Sequence, residues 1–419
     1  MSKRKKQIAA IKGTNDILPQ EVGKWQKVEA VAAGIFRVYG YREIRSPVFE
    51  ATELFEKGTG QTSDIVIKEM YTFKDKGGRS LTLRPEYTPS VVRAIIENRL
   101  YLQSQPLRFY FIGPMFRYDK PQKGRYRQFH QMDIEVFGEE DPAVDAEIVE
   151  MADYLLERLK VSGRKILVNS VGCRGCRTDY LKELREKAES AHRELCEDCQ
   201  RKIGTNPLRI FDCKVEKCRE ISTGFPSITD YLCTECRDHF RKFCGYLDLY
   251  NIAYKTEPRL VRGIDYYTKT TFEIISSKLG AQDAILGGGR YDDMMKDFGG
   301  PDICGIGFAV GMERLLSLVP FSEPEKNFVY IVCMGEEART MGMELARDLR
   351  RERIECLLEY KKRSLKNQMS RADKLGAAWV LIVGEDEVKK GKYQLKQMAT
   401  GQQKEFTAEE IRSVLKESS

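Results

Sequence analysis

The sequence predicts an α+β protein, with an antiparallel-sheet core interrupted by a helical cysteine-rich insertion and followed by a C-terminal α/β domain. Three observations carry this reading. Alternating apolar and polar segments joined by Lys, Gly and Pro turns recur through residues 41–137 and 257–311, as antiparallel strands require. Nine of the twelve cysteines fall between Cys173 and Cys244, where the composition changes abruptly. Beyond residues 320–326, which read as a linker, strand and helix patterns alternate, implying βα units with a largely parallel sheet. The expected divisions are a core at 1–170 and 251–322, an insertion at 171–250 and a C-terminal domain at 325–419.

With 419 residues, 42% hydrophobic and 32% charged, the chain has room for two or three domains. Seventy Lys and Arg against 63 Asp and Glu give +7, which suits a polyanionic partner without identifying one. No apolar run approaches the roughly 20 residues of a membrane span. The basic N-terminus lacks the apolar centre of a signal peptide, so a cytoplasmic protein without membrane association is expected. In that setting, cysteines imply reduced thiols or a metal rather than disulfides.

Residues 13–19 (GTNDILP) form a turn-rich entry to a helix over 21–39, with Trp25, Val28, Val31 and Ile35 on one face. Residues 41–47 read as a strand ended by Pro47. Residues 70–90 hold a hairpin around Lys-Gly-Gly and then a helix start at Thr88 and Pro89. Pro85 fixes the spacing of Arg84 and Glu86, and a salt bridge between those two would account for both. Strands over 109–116 and 127–137 enclose a basic tip that carries Arg117, Lys120, Lys123, Arg125 and Arg127. The two-residue period puts Phe129, Gln131 and Glu135 on one face, where a planar base could stack on Phe129 with arginines around its phosphates. A solvated edge is the alternative. An amphipathic helix over 145–159 and a strand over 165–170 follow.

The insertion contains Cys173-x2-Cys176, Cys196-x2-Cys199, Cys213-x4-Cys218 and Cys233-x2-Cys236. Two sulfurs three residues apart can reach one zinc ion, so up to two structural zinc sites are expected. Pairing in sequence order would join Cys173, Cys176, Cys196 and Cys199 in one, and Cys213, Cys218, Cys233 and Cys236 in the other. Buried free thiols are the alternative. No catalytic candidate lies between Cys173 and Cys244, so the insertion is expected to stand apart from the chemistry, with His192 and His239 unassigned.

Residues 257–276 alternate like a strand pair, with Arg262 before a Gly263 turn and with Tyr266 and Tyr267 on opposite faces. Residues 284–294 run from a strand into three glycines, where a backbone without Cβ can approach a ligand, and then reach Tyr291. Residues 305–318 give a strand, a junction at Gly311 and a helix with Glu313 and Arg314, whose N-terminus and positive charge favour an anion. In the C-terminal domain, strands over 328–333, 354–360 and 379–383 alternate with helices over 338–351 and 364–375. Lys361, Lys362, Arg363, Lys366 and Arg371 surround the second helix start.

Residues 113–131, GPMFRYDKPQKGRYRQFHQ, resemble the second signature motif of class II aminoacyl-tRNA synthetases in the form seen in histidyl-tRNA synthetases. The helix, strand and proline of 21–47 are similar to the first motif, and 305–318 to the third. TLRPE-x-T, LVRGIDYY and LGGGRYD resemble histidyl-specific segments, and LCEDCQRKIGTNPLRIFDCK resembles the helical insertion of the bacterial enzymes. The resemblance implies a class II synthetase core with an anticodon-binding C-terminal domain. It also implies a homodimer built through the first motif, although that pattern alone equally suits a helix-strand pair within one subunit. The implied activity is ligation of L-histidine to tRNA(His) using ATP and Mg2+.

By the same resemblance, Glu86, Thr88 and Gln131 hold the substrate's α-amino group, beside Tyr87 where family members often have glycine. Glu135 and Tyr267 read the imidazole, with Tyr266 and Tyr291 near the amino acid. Arg117 and Arg262 are the catalytic pair on the α-phosphate and the substrate carboxylate. Arg125 and Arg314 meet the outer phosphates, Phe129 stacks the adenine, and Gln122 and Arg127 meet the tRNA acceptor end. One competing reading is a non-aminoacylating regulatory paralogue of histidine biosynthesis. Arg262, Glu135 and the C-terminal domain speak against it. Another, a zinc-dependent nucleic-acid-binding module, would explain only the insertion.

Overall fold

The computed structural model describes residues 8–60, 63, 65–122, 124–280, 283–322 and 326–417, so Lys123 and part of the 320–326 segment lie outside it. Two compact units divide the chain, Met1–Phe321 and Ser322–Ser419. No helix among the described residues is long and apolar enough to cross a membrane.

In the first unit an eight-stranded sheet runs in the order Arg42–Glu43, Leu107–Phe116, Gln128–Phe137, Gly305–Gly311, Ala284–Arg290, Thr268–Ser276, Arg164–Ser170 and Tyr254–Thr256. Only the two outermost pairings are parallel; all the inner ones are antiparallel. The two-residue period sorts side chains between the faces. On Gln128–Phe137, Met132, Ile134 and Val136 enter the core, while Phe129, Gln131, Asp133 and Glu135 border a cavity on the other side. Helices Pro19–Val38, Pro142–Arg158, Thr234–Leu249 and Met312–Leu318 cover the core face with Val28, Phe36, Ile148, Leu155, Phe243 and Leu315. Trp25 and Val31 pack at the edge of that core, as their helical spacing predicts. A separate three-stranded sheet, Phe49–Ala51, Ser80–Leu83 and Tyr71–Lys74, leads into the helix Thr88–Glu97.

Two expectations for this unit fail. The strand expected over 41–47 reduces to Arg42–Glu43, because the chain turns toward Pro47, which has no N–H to donate to a ladder. The strand pair expected over 257–276 is one strand, Thr268–Ser276, preceded by an irregular segment. Backbone carbonyls of that segment are taken by insertion side chains instead of a neighbouring strand: Arg209 donates to Gly263 O and Arg177 to Tyr267 O. Tyr266 and Tyr267 therefore do not point to opposite faces, and both border the same cavity.

The insertion consists of helices Arg174–Ser190, Glu197–Thr205, Glu216–Ser222 and Thr234–Leu249 with short 3-10 turns between them. Its eight paired cysteines gather as Cys173, Cys176, Cys233 and Cys236, and as Cys196, Cys199, Cys213 and Cys218. Pairing in sequence order is thus wrong. A helix of this length carries the chain about 25 Å away, at 1.5 Å per residue, before Cys196 is reached. The chain returns to Cys173 only at the start of the last helix.

In the second unit the sheet order is Cys356–Leu358, Val329–Met334, Trp379–Gly384, Tyr393–Gln397 and Gln403–Phe406. The first three strands are parallel, as expected, and the last two form an antiparallel hairpin that the βα pattern did not announce. Helices Glu336–Arg351, Leu365–Leu375, Glu385–Lys390 and Ala408–Glu417 complete it. Of its basic cluster, Arg363 and Arg371 converge on the buried Glu359, and Lys362 pairs with Glu336.

One buried ion pair joins the sheet to its covering helix. Arg290 Nη1 meets Asp145 Oδ1 at 2.5 Å with both side chains fully buried, and Nη2 donates to Glu139 O. Removing Asp145 takes the buried carboxylate from Nη1 and leaves the guanidinium with Asp292, which meets its Nε at 3.1 Å, and the Glu139 carbonyl. Asp145→Ala is expected to destabilise the first unit by about 3–5 kcal/mol, measured as an earlier urea-unfolding transition.

Candidate functional site

A cavity of ≈ 380 Å³ opens on the face of the central strands opposite the core. Its walls come from the Leu107–Phe116/Gln128–Phe137 hairpin, the start of helix Thr88–Glu97, the irregular segment around Arg262, and the glycine-containing strands Ala284–Arg290 and Gly305–Gly311. The glycines serve the protein's own side chains more directly than a ligand. A Cβ on Gly287 would collide with the Arg262 guanidinium, and one on Gly307 with the Glu135 carboxylate, so both groups lie flat on the sheet.

One end of the cavity is cationic. Arg117, Arg125, Arg262 and Arg314 all border it. Arg117 donates from Nε to Pro85 O at 2.8 Å and lies over the Phe129 ring at 5.2 Å. Arg125 pairs with Asp119 at 2.9 Å, and Arg314 donates to the carbonyls of Gly124 and Ala284. Burial pushes the Arg314 pKa down, and the positive charges of Arg125, Arg262 and Arg117 push it further, with Glu273 opposing them in part. Arg262 is held by Glu273 at 2.7 Å, while its buried Nε has no partner. Glu313, on the helix that follows Gly311, accepts from the His130 backbone N–H at 2.9 Å and thereby ties that helix to the hairpin.

The other end is lined by buried carboxyl groups. Glu86, Asp133 and Glu135 are each under 5% exposed. Burial pushes all three upward, Glu135 to about 8. For Asp133 the neighbouring charges of Glu135 and Glu86 add to that push. Hydroxyls hold the two glutamates. Thr59 and Tyr266 donate to Glu86, and Thr88 and Tyr291 donate to Glu135. Gln131 Oε1 and Asp133 Oδ1 are buried acceptors without a partner, adjacent on one strand face and both bordering the cavity. Such a pair suits a donor-rich group such as an ammonium.

The cavity gathers Glu86, Thr88, Arg117, Arg125, Phe129, Gln131, Glu135, Arg262, Tyr266, Tyr267, Tyr291 and Arg314. Thr88 sits with Glu135 rather than with Glu86. Glu86 makes no salt bridge with Arg84, which instead donates to the carbonyls of Pro114, Ser46 and Pro47 and stacks over Phe111. Tyr87 borders the cavity, but both its hydroxyl positions are occupied, by Ser46 N–H and Ile44 O, and its ring stacks on Phe111. It packs the wall and has no free polar atom for a substrate. Gln122 and Arg127 lie outside the cavity, Gln122 exposed at the hairpin tip and Arg127 half-buried, where its guanidinium packs over Tyr118 and its backbone N–H donates to Gly13 O. Other participants were missed, Asp133, Thr59, Glu273, Asp283, Arg209 and Asp212 among them. Asp133 was legible in the same alternation as Gln131 and Glu135. Thr59, Glu273 and the insertion's Asp212 carry no local signal.

The histidyl-tRNA synthetase family model matches residues 13–315, and an anticodon-binding domain model matches residues 328–418. A histidine–tRNA ligase of Halothermothrix orenii is 49% identical over 404 residues, covering 95% of this chain and 96% of its own length. One from Desulforudis audaxviator is 49% identical over 409 residues, covering 96% and 97%. Among solved structures, ligand-free S. aureus histidyl-tRNA synthetase aligns over 98% of this chain and 100% of its own, at 36% identity and a TM-score of 0.83. With its motifs in order, its sheet and cavity of one pattern and its relatives matched end to end, the chain belongs to the histidyl-tRNA synthetase family.

Proposed function

We propose that the protein activates L-histidine with ATP and transfers it to the 3′ end of tRNA(His). The observation that carries this reading is the polarity of the cavity, with four arginines at one end and three buried carboxylates at the other. Adenylation joins a triphosphate to an amino acid, so one cavity must hold an anion beside an ammonium group. The regulatory-subunit reading is not favoured, since both ends of the cavity are present and residues 328–418 match an anticodon-binding domain.

The substrate carboxylate is already a nucleophile, so the step needs positioning and charge more than a base. Its oxygen attacks the α-phosphorus, and the bond to pyrophosphate breaks. Arg117 and Arg262 flank that phosphate, Arg125 and Arg314 hold the outer ones, and Phe129 stacks the adenine. Glu273 fixes the orientation of Arg262. Glu273 and Asp283, carboxylates that border the cavity, are oxygen donors of the kind magnesium takes and would hold such an ion, which would share the phosphate charge. Gln131 and Asp133 accept from the α-ammonium group, with Glu86 and Tyr266 behind them. Glu135, set by Thr88 and Tyr291, reads one imidazole nitrogen and Tyr267 the other. In the second step a hydroxyl of the tRNA's terminal ribose attacks the carbonyl and AMP leaves, with Gln122 and Arg127 against the acceptor end and the second unit against the anticodon. We further propose a homodimer in the cytoplasm, in which the exposed outer strand Arg42–Glu43 lies at the subunit boundary.

Arg262→Ala should slow ATP–pyrophosphate exchange by on the order of 10²-fold, with a smaller loss of histidine affinity. Near-normal exchange would remove Arg262 from the mechanism. Glu135→Gln should lower kcat/KM for histidine by roughly 5- to 150-fold while leaving the KM for ATP in place. The reverse pattern would assign Glu135 to the nucleotide. The same variant tests the electrostatics. A carboxyl whose folded pKa is raised above its unfolded value loses stability as pH rises from about 4.5 to about 8. Relative to wild type, Glu135→Gln should therefore gain thermal stability from pH 5 to pH 8, by at most about 5 kcal/mol. A constant difference across that range would show an ordinary carboxyl.

A further inference from the structure

We infer that the insertion holds two structural metal ions of the zinc type, paired across the sequence rather than along it, and that both brace the active-site segment carrying Arg262, Tyr266 and Tyr267. The coupling to catalysis rests on the function proposed above; the metal sites do not.

The sulfur geometry speaks for the metal. Within each group of four, all Sγ atoms lie within 4.8 Å of one another, with Cys173 and Cys176 at 3.6 Å and Cys196 and Cys213 at 3.8 Å. A tetrahedron with metal–sulfur bonds of about 2.3 Å has edges of about 3.8 Å. A disulfide needs sulfurs about 2.05 Å apart, and all twelve cysteines are free. Cys173, Cys196 and Cys233 each occupy the N-cap position of a helix, and each has its partner cysteine three residues further on. Backbone N–H groups of Cys233 and Cys196 donate to the sulfurs of Cys176 and Cys218 at 3.2 Å, a contact that favours thiolates. Four thiolates close a tetrahedral site and leave no open position, so the role is structural. The surrounding apolar clusters are small and built partly of the cysteines themselves, as in Tyr180, Leu184, Ile228 and Leu232 around Cys176 and Cys236. Cores of that size rarely hold a fold without a metal or disulfides.

What the two groups hold in place lies in the catalytic cavity. Cys213 is flanked by Asp212 and Lys214, which both border it, and Asp212 is close enough to raise the pKa of Arg262. One turn earlier, Arg209 donates to Gly263 O at 2.5 Å and to Asp265 at 3.1 Å, and Asn206 donates to Asp265 at 2.8 Å. From the other group, Arg177, on the helix that begins at Cys173, donates to Val171 O and Tyr267 O. The irregular 257–267 segment thus leans on side chains whose own positions depend on the two cysteine groups. This overturns the expectation that the insertion stands apart from the chemistry. Arg209 is a positioning residue, acting on Arg262 and the tyrosines through Gly263 and Asp265.

Metal analysis of the full-length protein, purified under reducing conditions without chelator, should find two zinc ions per chain. None or one would overturn the two-site inference. Cys173→Ser/Cys233→Ser should retain one zinc, whereas pairing in sequence order would lose both. Cobalt substitution should give the thiolate charge-transfer absorption of tetrahedral sites in wild type and half of it in that variant. Its absence from wild type would refute four-sulfur ligation. For the coupling, Arg209→Ala should keep both zinc ions, raise the KM for histidine and lower kcat in exchange by at least about tenfold together, with partial recovery in Arg209→Lys. Exchange kinetics unchanged in Arg209→Ala would sink the bracing role even if the zinc is present. Zinc-replete wild type that activates some other amino acid would instead sink the function proposed above.

Discussion

Three carboxylates, Glu86, Asp133 and Glu135, share a poorly hydrated corner, and four arginines share the opposite end of the same cavity. Each group repels itself, and neither would persist in an interior without compensation. The protein supplies part of it, through hydroxyl donors to Glu86 and Glu135 and acceptors for Arg117, Arg125 and Arg262. The remainder is left open, as Gln131 Oε1, Asp133 Oδ1 and Arg262 Nε. Residual frustration of this kind is relieved only by a ligand of opposite polarity at each end, and this makes the cavity selective.

The sheet makes such a charge arrangement affordable. Its central antiparallel strands satisfy every interior backbone pair across Gln128–Phe137 and Gly305–Gly311, and a helix layer buries the apolar residues of one face. The opposite face is then free to carry polar groups at every second position without disturbing the core. Glycines on the two neighbouring strands lower that face locally, so that Arg262 and Glu135 lie against backbone rather than against other side chains. Rigid strands place the phosphate and ammonium subsites, while the one irregular wall is braced from outside by the insertion.

The coarse architecture was legible because it rests on local rules. The hairpin alternation, the Thr88–Pro89 helix start, the Gly311 junction and the βα rhythm of the second unit are all short-range patterns, and the strands and helices fall within a few residues of the expected limits. Motif resemblance then named the family and thirteen of the residues that line the cavity. Errors arose where a non-local partner decided the outcome. The 257–267 segment alternates like a strand, but Arg177 and Arg209 from the insertion take its carbonyls. Arg84 and Glu86 looked like a pair from their spacing, yet each found better partners elsewhere.

Sequence alone thus determined which residues line one face of each strand, because side-chain direction in a strand depends only on parity. It also determined that the cysteines come in metal-ligand spacings, since that spacing is a property of a single turn. Only the tertiary structure decided which cysteine pairs meet, because a long helix intervenes and the chain's return path is set by packing. It likewise decided that Tyr266 and Tyr267 share one cavity and that Asp133, Glu273 and Asp212 join the site. Long-range contacts are chosen by the burial of the whole molecule, and no local pattern encodes them.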